Sequence, residues 1–221
     1  LSSPGAFTVL APTNDAFDAF LTSINAASLD DIPVDVLTNV LLNHVFIGEV
    51  QSSSLSNGYA STQAVSAASG SNMSMYINTD NGVTFNGVSS VITADVVASN
   101  GIVHIVDSVI GLPTVVTFAL ADPNFEILVQ ALTRDDLTMD FVGLLNSSTS
   151  PPTPLTVFAP VNNAFVNLLD ELGVSGLNDI DEPTLSAVLT YHVVTGANQL
   201  SINLSDGMEF TTAGGGSLSF N

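Results

Sequence analysis

The sequence predicts an α+β fold used twice in tandem, and two observations carry that expectation. The first is a repeat without gaps. Phe7 to Phe20 (FTVLAPTNDAFDAF) lies over Leu155 to Leu168 (LTVFAPVNNAFVNL), and Leu29 to His44 lies over Leu177 to His192, so about 38 positions share one offset of 148 residues. The second is the order of patterns within a copy. Segments with helical spacing come first and segments with strand-like alternation follow, which places helices beside a sheet instead of between parallel strands. The two copies are assigned to residues 1–113 and 114–221.

The elements follow in order. Leu155 to Ala159 reads as a buried strand that Pro160 ends, and Thr8 to Phe17 holds the matching strand and turn of the first copy, with Pro12 at the place of Pro160. In the run that starts at Asn162 (NNAFVNLL), Asn162 or Asn163 is placed as the N-cap of a helix that presents Phe165 and Leu168; Asn14 holds the matching position in the first copy. Val36, Leu37, Val40, Leu41 and His44 fall on one face of a further helix. Beyond the histidines the copies drift by insertion. Alternating segments around Met73 to Ile77, Val83 to Phe85 and Val88 to Val97 read as strands, and the pairs Asn81-Gly82, Asn86-Gly87 and Asn100-Gly101 mark tight turns. Gly101 to Ile110 (GIVHIVDSVI) is apolar on both faces and is expected at the centre of the sheet. Thr114 to Leu120 reads as a short helix, and Asp122 as the cap of a second helix that opens at Pro123 and carries Phe125, Leu128, Val129 and Leu132.

Composition excludes several function classes. The 221 residues carry 21 acidic side chains against one basic residue, Arg134, for a formal net charge of −20. Binding nucleic acid or an anionic membrane surface requires clustered Lys and Arg, and one arginine makes no patch. Only 10% of residues are charged, so the surface is largely Ser, Thr, Asn and Asp, and trypsin-like proteases have a single site at Arg134. Hydrophobic residues make up 46% and the mean hydropathy is +0.46, ample for two packed cores. The absence of cysteine removes disulfides, thiolate zinc sites and cysteine nucleophiles. No uninterrupted run of ~20 apolar residues is present to span a bilayer. No leader is visible; Leu1 to Ala6 runs straight into a strand, and the natural N-terminus is expected further upstream.

These residues resemble the fasciclin domain family. Thr8 to Phe17 (TVLAPTNDAF) and Thr156 to Phe165 (TVFAPVNNAF) look like its first signature box, Gly101 to Pro113 looks like its second, and the helix ends at His44 and His192 look like those that carry the family's central histidine. The resemblance implies two tandem fasciclin-like domains, each a β-sandwich wedge with packed helices. It also implies that both are incomplete here, the first without its opening helices and the second without its closing strands. Composition and the lack of cysteine are similar to bacterial secreted or surface members.

The chemistry-bearing residues are few. His44, His104 and His192 are the acid/base candidates, and each reads as a core histidine bonded to backbone, with Pro12, Pro160, Asn14 and Asn162 as further structural signature positions. No GxSxG elbow occurs, although a Ser-His-Asp arrangement is a matter of space and not of sequence order. Asp30-Asp31, Asp135-Asp136 and the group Asp179, Asp181 and Glu182 read as helix starts, with weak divalent-cation binding as the alternative and no other cofactor. Tyr191-His192 resembles the tyrosine-histidine motif that some animal fasciclin domains use in adhesion, whereas the first copy has Asn43-His44; a buried tyrosine packing the helix end is the competing role and the one preferred. Asn72, Asn146 and Asn203 open N-x-S sequons. The expected function is a non-catalytic extracellular or cell-surface adhesion or structural module that binds protein or polysaccharide. The alternatives are a filament subunit completed by neighbouring chains, and a small-ligand carrier or enzyme.

Overall fold

In a computed structural model of the chain, residues 5–146 and 154–220 are described. The first four residues, and Ser147 and Ser148 of the Asn146 sequon, lie outside them. The chain divides into two compact units, Leu1–Pro113 and Thr114–Asn221.

The first unit opens with β1 (Phe7–Pro12), α1 (Asn14–Ser23) and α2 (Val34–Leu42). Thr13, between strand and helix, caps α1 by accepting the Ala16 N–H at 3.2 Å, so Pro12 does close the strand and a threonine starts the helix. Asn25 sits at φ 56 just after α1, where its twin Gly173 sits at φ 68; both are positions that need the left-handed conformation, and asparagine tolerates it. The strands β2 (Val45–Ile47), β3 (Gly58–Val65), β4 (Asn72–Asn78), β5 (Thr84–Phe85), β6 (Ser89–Ala98) and β7 (Gly101–Val106) complete the unit. They form one seven-stranded sheet in the order β2-β1-β7-β6-β5-β4-β3.

Within this sheet β1 and β7 are parallel and every other pairing is antiparallel. The edge strands β2 and β3 pack on each other, so the sheet folds over a core of Leu10, Phe46, Met75, Ile77, Phe85, Val106 and Ile110. The central place of β7 follows from its two apolar faces. Gly101 is required where β7 meets β1, because a Cβ there would lie 2.0 Å from the Phe7 carbonyl oxygen. Asn86 and Gly87, both at positive φ, make the tight turn between β5 and β6.

The second unit begins with α3 (Val115–Ala121), a 3₁₀ turn over Pro123–Phe125, α4 (Glu126–Leu132) and α5 (Phe141–Asn146). Asp122 caps the 3₁₀ turn as expected of an Asp-Pro start, but the single helix expected from Pro123 is split, with α-helical bonding only from Glu126. Then come β8 (Leu155–Val157), α6 (Asn162–Leu172), α7 (Glu182–Tyr191), β9 (Val193–Thr195), β10 (Glu209–Thr211) and β11 (Ser217–Ser219). The core here is helical, built from Leu128, Ala131, Phe141, Phe165, Ile180, Leu185 and Leu189.

Two sequence expectations change. The strand over Leu155–Ala159 ends at Val157 and is only half-buried, since among the described residues β8 pairs with β9 alone whereas β1 is flanked on both sides. On α2, Val36 and Leu41 are exposed, although their spacing marks a core face. The twins of Leu37 and Leu41, Leu185 and Leu189, are buried in the cluster that α4 and α5 complete; no such layer covers α2 among the described residues of the first unit.

Candidate functional site

His44 follows α2, whose last turn leaves carbonyls without an intrahelical partner. Its Nδ1–H donates to the Val40 carbonyl at 2.8 Å, four residues back, and its Nε2 accepts the Ile110 N–H at 2.9 Å. Both ring nitrogens are therefore spent on backbone. Burial holds the imidazole below the ordinary histidine pKa, and the Val40 carbonyl opposes that shift in part. Beside it Asn43, fully buried, donates from Nδ2 to the Gly111 carbonyl at 2.9 Å and accepts on Oδ1 from the Thr62 hydroxyl at 3.1 Å. Asn43 and His44 together sew the segment after β7 to the end of α2.

The second copy keeps half of this arrangement. His192 Nδ1–H donates to the Val188 carbonyl at 2.8 Å, matching His44, but its Nε2 has no hydrogen-bond partner among the described residues. Tyr191 stands where Asn43 does. It is 42% exposed and not buried as its competing role required; its hydroxyl donates to the Ser217 carbonyl at 2.9 Å and its ring meets His192 edge-on at 6.4 Å. An asparagine fits inside that helix end, whereas a phenol must point out. Phe158, Tyr191, His192, Leu218 and Phe220 line a cleft of about 230 Å³.

His104 belongs to β7 and is fully buried. Its Nε2–H donates to the Val50 carbonyl at 2.9 Å and its Nδ1 accepts the Asp95 N–H at 3.2 Å. Asp95 sits at φ 58 in a bulged stretch of β6, and its carboxylate takes the Ser52 N–H at 2.8 Å and the Ser52 hydroxyl at 2.5 Å. Those two bonds, the hydroxyl foremost, hold the Asp95 carboxyl below the usual carboxylate range. Serine, histidine and aspartate thus meet in space, yet the serine bonds the aspartate and the histidine reaches neither hydroxyl nor solvent. A catalytic triad needs the histidine between the other two.

Asn162 corrects the capping expectation. The cap position of α6 is Val161, which offers no side-chain bond, and Asn162 is the first helical residue. Its Oδ1 accepts the Ile127 N–H of α4 at 3.0 Å and its Nδ2 donates to the Pro123 carbonyl at 2.9 Å. It therefore serves the start of a different helix. Asn14, its twin, is exposed. Pro160 falls between β8 and α6, three residues past the strand end.

The charged groups are also committed. Arg134 donates from Nη1 to the Leu177 and Ile180 carbonyls at 2.7 and 2.8 Å, and from Nε and Nη2 to the Asp136 carboxylate at 2.5 and 2.9 Å. A groove of about 510 Å³ beside it is large enough for a small ligand, but four of the five N–H donors of its arginine are bonded within the protein. Asp31 and Asp179 lock their own loops by accepting the Ser28 and Ser175 N–H groups at 2.9 and 3.0 Å. Asp181 caps α7 through the Thr184 N–H at 2.9 Å; hydrogen bonding by Thr184 lowers its pKa. Among the described residues no three His, Asp or Glu side chains gather as a metal site.

Asn43, Asp95 and a threonine clasp escaped the sequence reading. Thr8 donates to the Gly48 carbonyl at 2.8 Å and accepts the Val50 N–H at 2.8 Å; Thr156 does the same with Ala197 and Gln199 at 2.9 and 2.8 Å. The repeat register contained that signal, since both threonines lie in the matched run. The partners stand 149 residues apart instead of 148, which places a one-residue insertion at Gly196.

Comparison with known proteins agrees with the geometry. The family model described as Fasciclin domain matches residues 1–113 and 123–221. Protein sll1483 of Synechocystis sp. is 36% identical over 110 residues, 50% of this chain and 57% of that protein. Periostin of Homo sapiens is 26% identical over 205 residues, 90% of this chain but 22% of periostin, so the chain spans well under two thirds of either relative. A solved FAS1 domain pair from the insect cell adhesion molecule fasciclin I is similar in fold, with a TM-score of 0.53 at 20% identity over 97% of this chain and 75% of that one.

Proposed function

The chain belongs to the fasciclin domain family, with two regions that match it, and on that premise we propose that it is a non-catalytic adhesion module of an extracellular or cell-surface protein. One observation carries the reading. His44 and His104 spend both ring nitrogens on backbone groups, His192 spends Nδ1 on one, and Arg134 commits four of its five N–H donors within the protein, so the polar chemistry serves the fold before any substrate. The adhesion role named for the insect relative supports the same view. Two units in series bind a surface protein or polysaccharide by adding weak contacts, each multiplying the residence of the other. Among the described residues no single helix is long and apolar enough to cross a membrane.

The test is adherence. Beads coated with the chain are expected to be retained on matrix-protein or polysaccharide films longer than beads coated with a charge-matched control. Hydrolytic or transfer turnover that disappears on substitution of His44, His104 or His192 would overturn the reading.

A further inference from the structure

We propose that Asn81 is a self-modifying site, at which the Gly82 backbone nitrogen displaces the Asn81 side-chain amide and leaves aspartate or isoaspartate. The site lies in the loop between β4 and β5, and the proposal stands whether or not the adhesion reading holds.

The reaction needs only water. The Gly82 N–H gives up its proton and the nitrogen attacks the Asn81 side-chain carbonyl carbon, closing a cyclic imide. The amide nitrogen takes up a proton and departs as ammonia. Water then opens the imide. Cleavage at the former side-chain carbonyl restores the ordinary peptide link and gives aspartate, and cleavage at the main-chain carbonyl routes the backbone through the side chain and gives isoaspartate. One amide and one water are consumed, one carboxylate and one ammonium are formed, and nothing is oxidised or reduced. Glycine hinders the attack least, having no Cβ beside the attacking nitrogen.

Three Asn-Gly pairs share that chemistry, at 81–82, 86–87 and 100–101, and the fold separates them. Asn86 is 3% exposed; its Oδ1 accepts the Tyr76 N–H at 2.8 Å and its own N–H donates to the Tyr76 carbonyl at 2.8 Å. Its side-chain carbonyl cannot swing onto the Gly87 nitrogen while those bonds hold. The Asn100 carbonyl accepts the Phe7 N–H at 3.1 Å, and Gly101 is packed so tightly on β1 that even a Cβ would meet the Phe7 carbonyl oxygen at 2.0 Å. That peptide cannot turn into an imide ring without parting β7 from β1. Asn81 and Gly82 are both exposed, the Asn81 side chain has no hydrogen-bond partner among the described residues, and a Cβ on Gly82 would find open space. The loop also tolerates the product. Asn78 and Thr84 pair beneath it, so the lengthened backbone of isoaspartate falls outside the ladder. Each conversion adds a negative charge beside Asp80, whose carboxylate already accepts from Asn57 and Asn78 at 2.9 and 3.3 Å.

The intact chain is held at about pH 8, sampled over weeks, digested and mapped by mass spectrometry, with isoaspartate confirmed by enzymatic methylation of its carboxylate. Asn81 is expected to convert first. Asn86 should lag by about tenfold or more, since reaction there gives up a buried hydrogen bond, and Asn100 should lag as well. In urea sufficient to unfold the chain the three rates should converge, because only the fold distinguishes them. Asn81→Gln, a change at an exposed and unbonded side chain, should remove the early acidic species seen by isoelectric focusing. Earlier conversion at Asn86 or Asn100, equal rates in the folded chain, the same ranking in urea, or an early acidic species that persists in Asn81→Gln would each overturn the proposal.

Discussion

At the scale of single residues, one amino acid is used in opposite senses at two buried sites. His44 donates from Nδ1 and accepts on Nε2, whereas His104 accepts on Nδ1 and donates from Nε2. His44 is held neutral because its Nε2 faces the Ile110 N–H, and a second proton there would set donor against donor. For His44 the consequence is a pH dependence with a definite sign. Its folded pKa lies below the ordinary value near 6.5, so the unfolded chain binds the proton first as pH falls. The stability linked to neutral His44 is complete above about pH 6.5 and is lost progressively below it. The first unit is expected to require less urea to unfold at pH 5 than at pH 7, read from exchange of the β7 amides. His44→Leu should be less stable by about 1–3 kcal/mol at pH 7, because the Ile110 N–H is left unpaired, and should have a flatter profile. A steeper profile in the variant would contradict the assignment. Asn162 and Asn14 offer a second comparison, the same residue at matched positions, the first with two side-chain partners and the second exposed with none among the described residues. Asn162→Ala removes two interhelical bonds and should cost about 1–3 kcal/mol, whereas Asn14→Ala should stay within about 0.5 kcal/mol in chemical denaturation.

Among the elements, the helix pair α1–α2 and its twin α6–α7 show how one pattern gives two burial states. Leu189 is 3% exposed beneath the layer completed by α4 and α5, and Leu41, its twin, is 46% exposed. Leu189→Ala should destabilise the second unit by about 2–5 kcal/mol and Leu41→Ala should change the first by less than about 1 kcal/mol, measured by urea titration. Equal losses would mean that a layer covers α2 as well. The same pair marks how far the sequence could be read. Helix positions, the tight turn at Asn86-Gly87 and the central place of β7 were legible because periodicity and turn chemistry are local properties. The half-burial of β8 and the exposure of Leu41 were not, because a side chain's burial depends on what packs over it and the repeat fixes only its own face. His44 and His104 were legible as backbone-bonded core residues, whereas His192, half-buried and bonded through Nδ1, fits that reading only in part. Asn43 was not, since it differs from Tyr191 and its partners lie 19 and 68 residues away. Asn162 was assigned to its own helix because an N-cap rule looks only forward along the chain, while its side chain reaches back 35 residues.

For the molecule as a whole, charge and the single arginine combine into one experiment. Nine of the carboxylates lie in residues 1–113, and twelve lie in residues 114–221 with Arg134. Each unit has its own core, so each is expected to open on its own. Cleavage after Arg134 requires release of the guanidinium from the Leu177 and Ile180 carbonyls and from Asp136, and a protease must also draw the backbone into its cleft. Brief trypsin exposure therefore reports the open fraction of the second unit. Two effects of salt compete in that unit. Raising ionic strength from about 0.01 to about 1 M shortens the Debye length from roughly 30 to roughly 3 Å, which relieves carboxylate repulsion and also weakens the Arg134–Asp136 pair, whose carboxylate is half-exposed. Repulsion acts among twelve carboxylates and the pair is one contact, of the kind that contributes at most about 1 kcal/mol at a surface. Screening should therefore win, and in moderate urea the yield of the 1–134 and 135–221 fragments should fall as salt rises. A yield that rises with salt would show that the arginine clamp, and not the net charge, governs when the second unit opens.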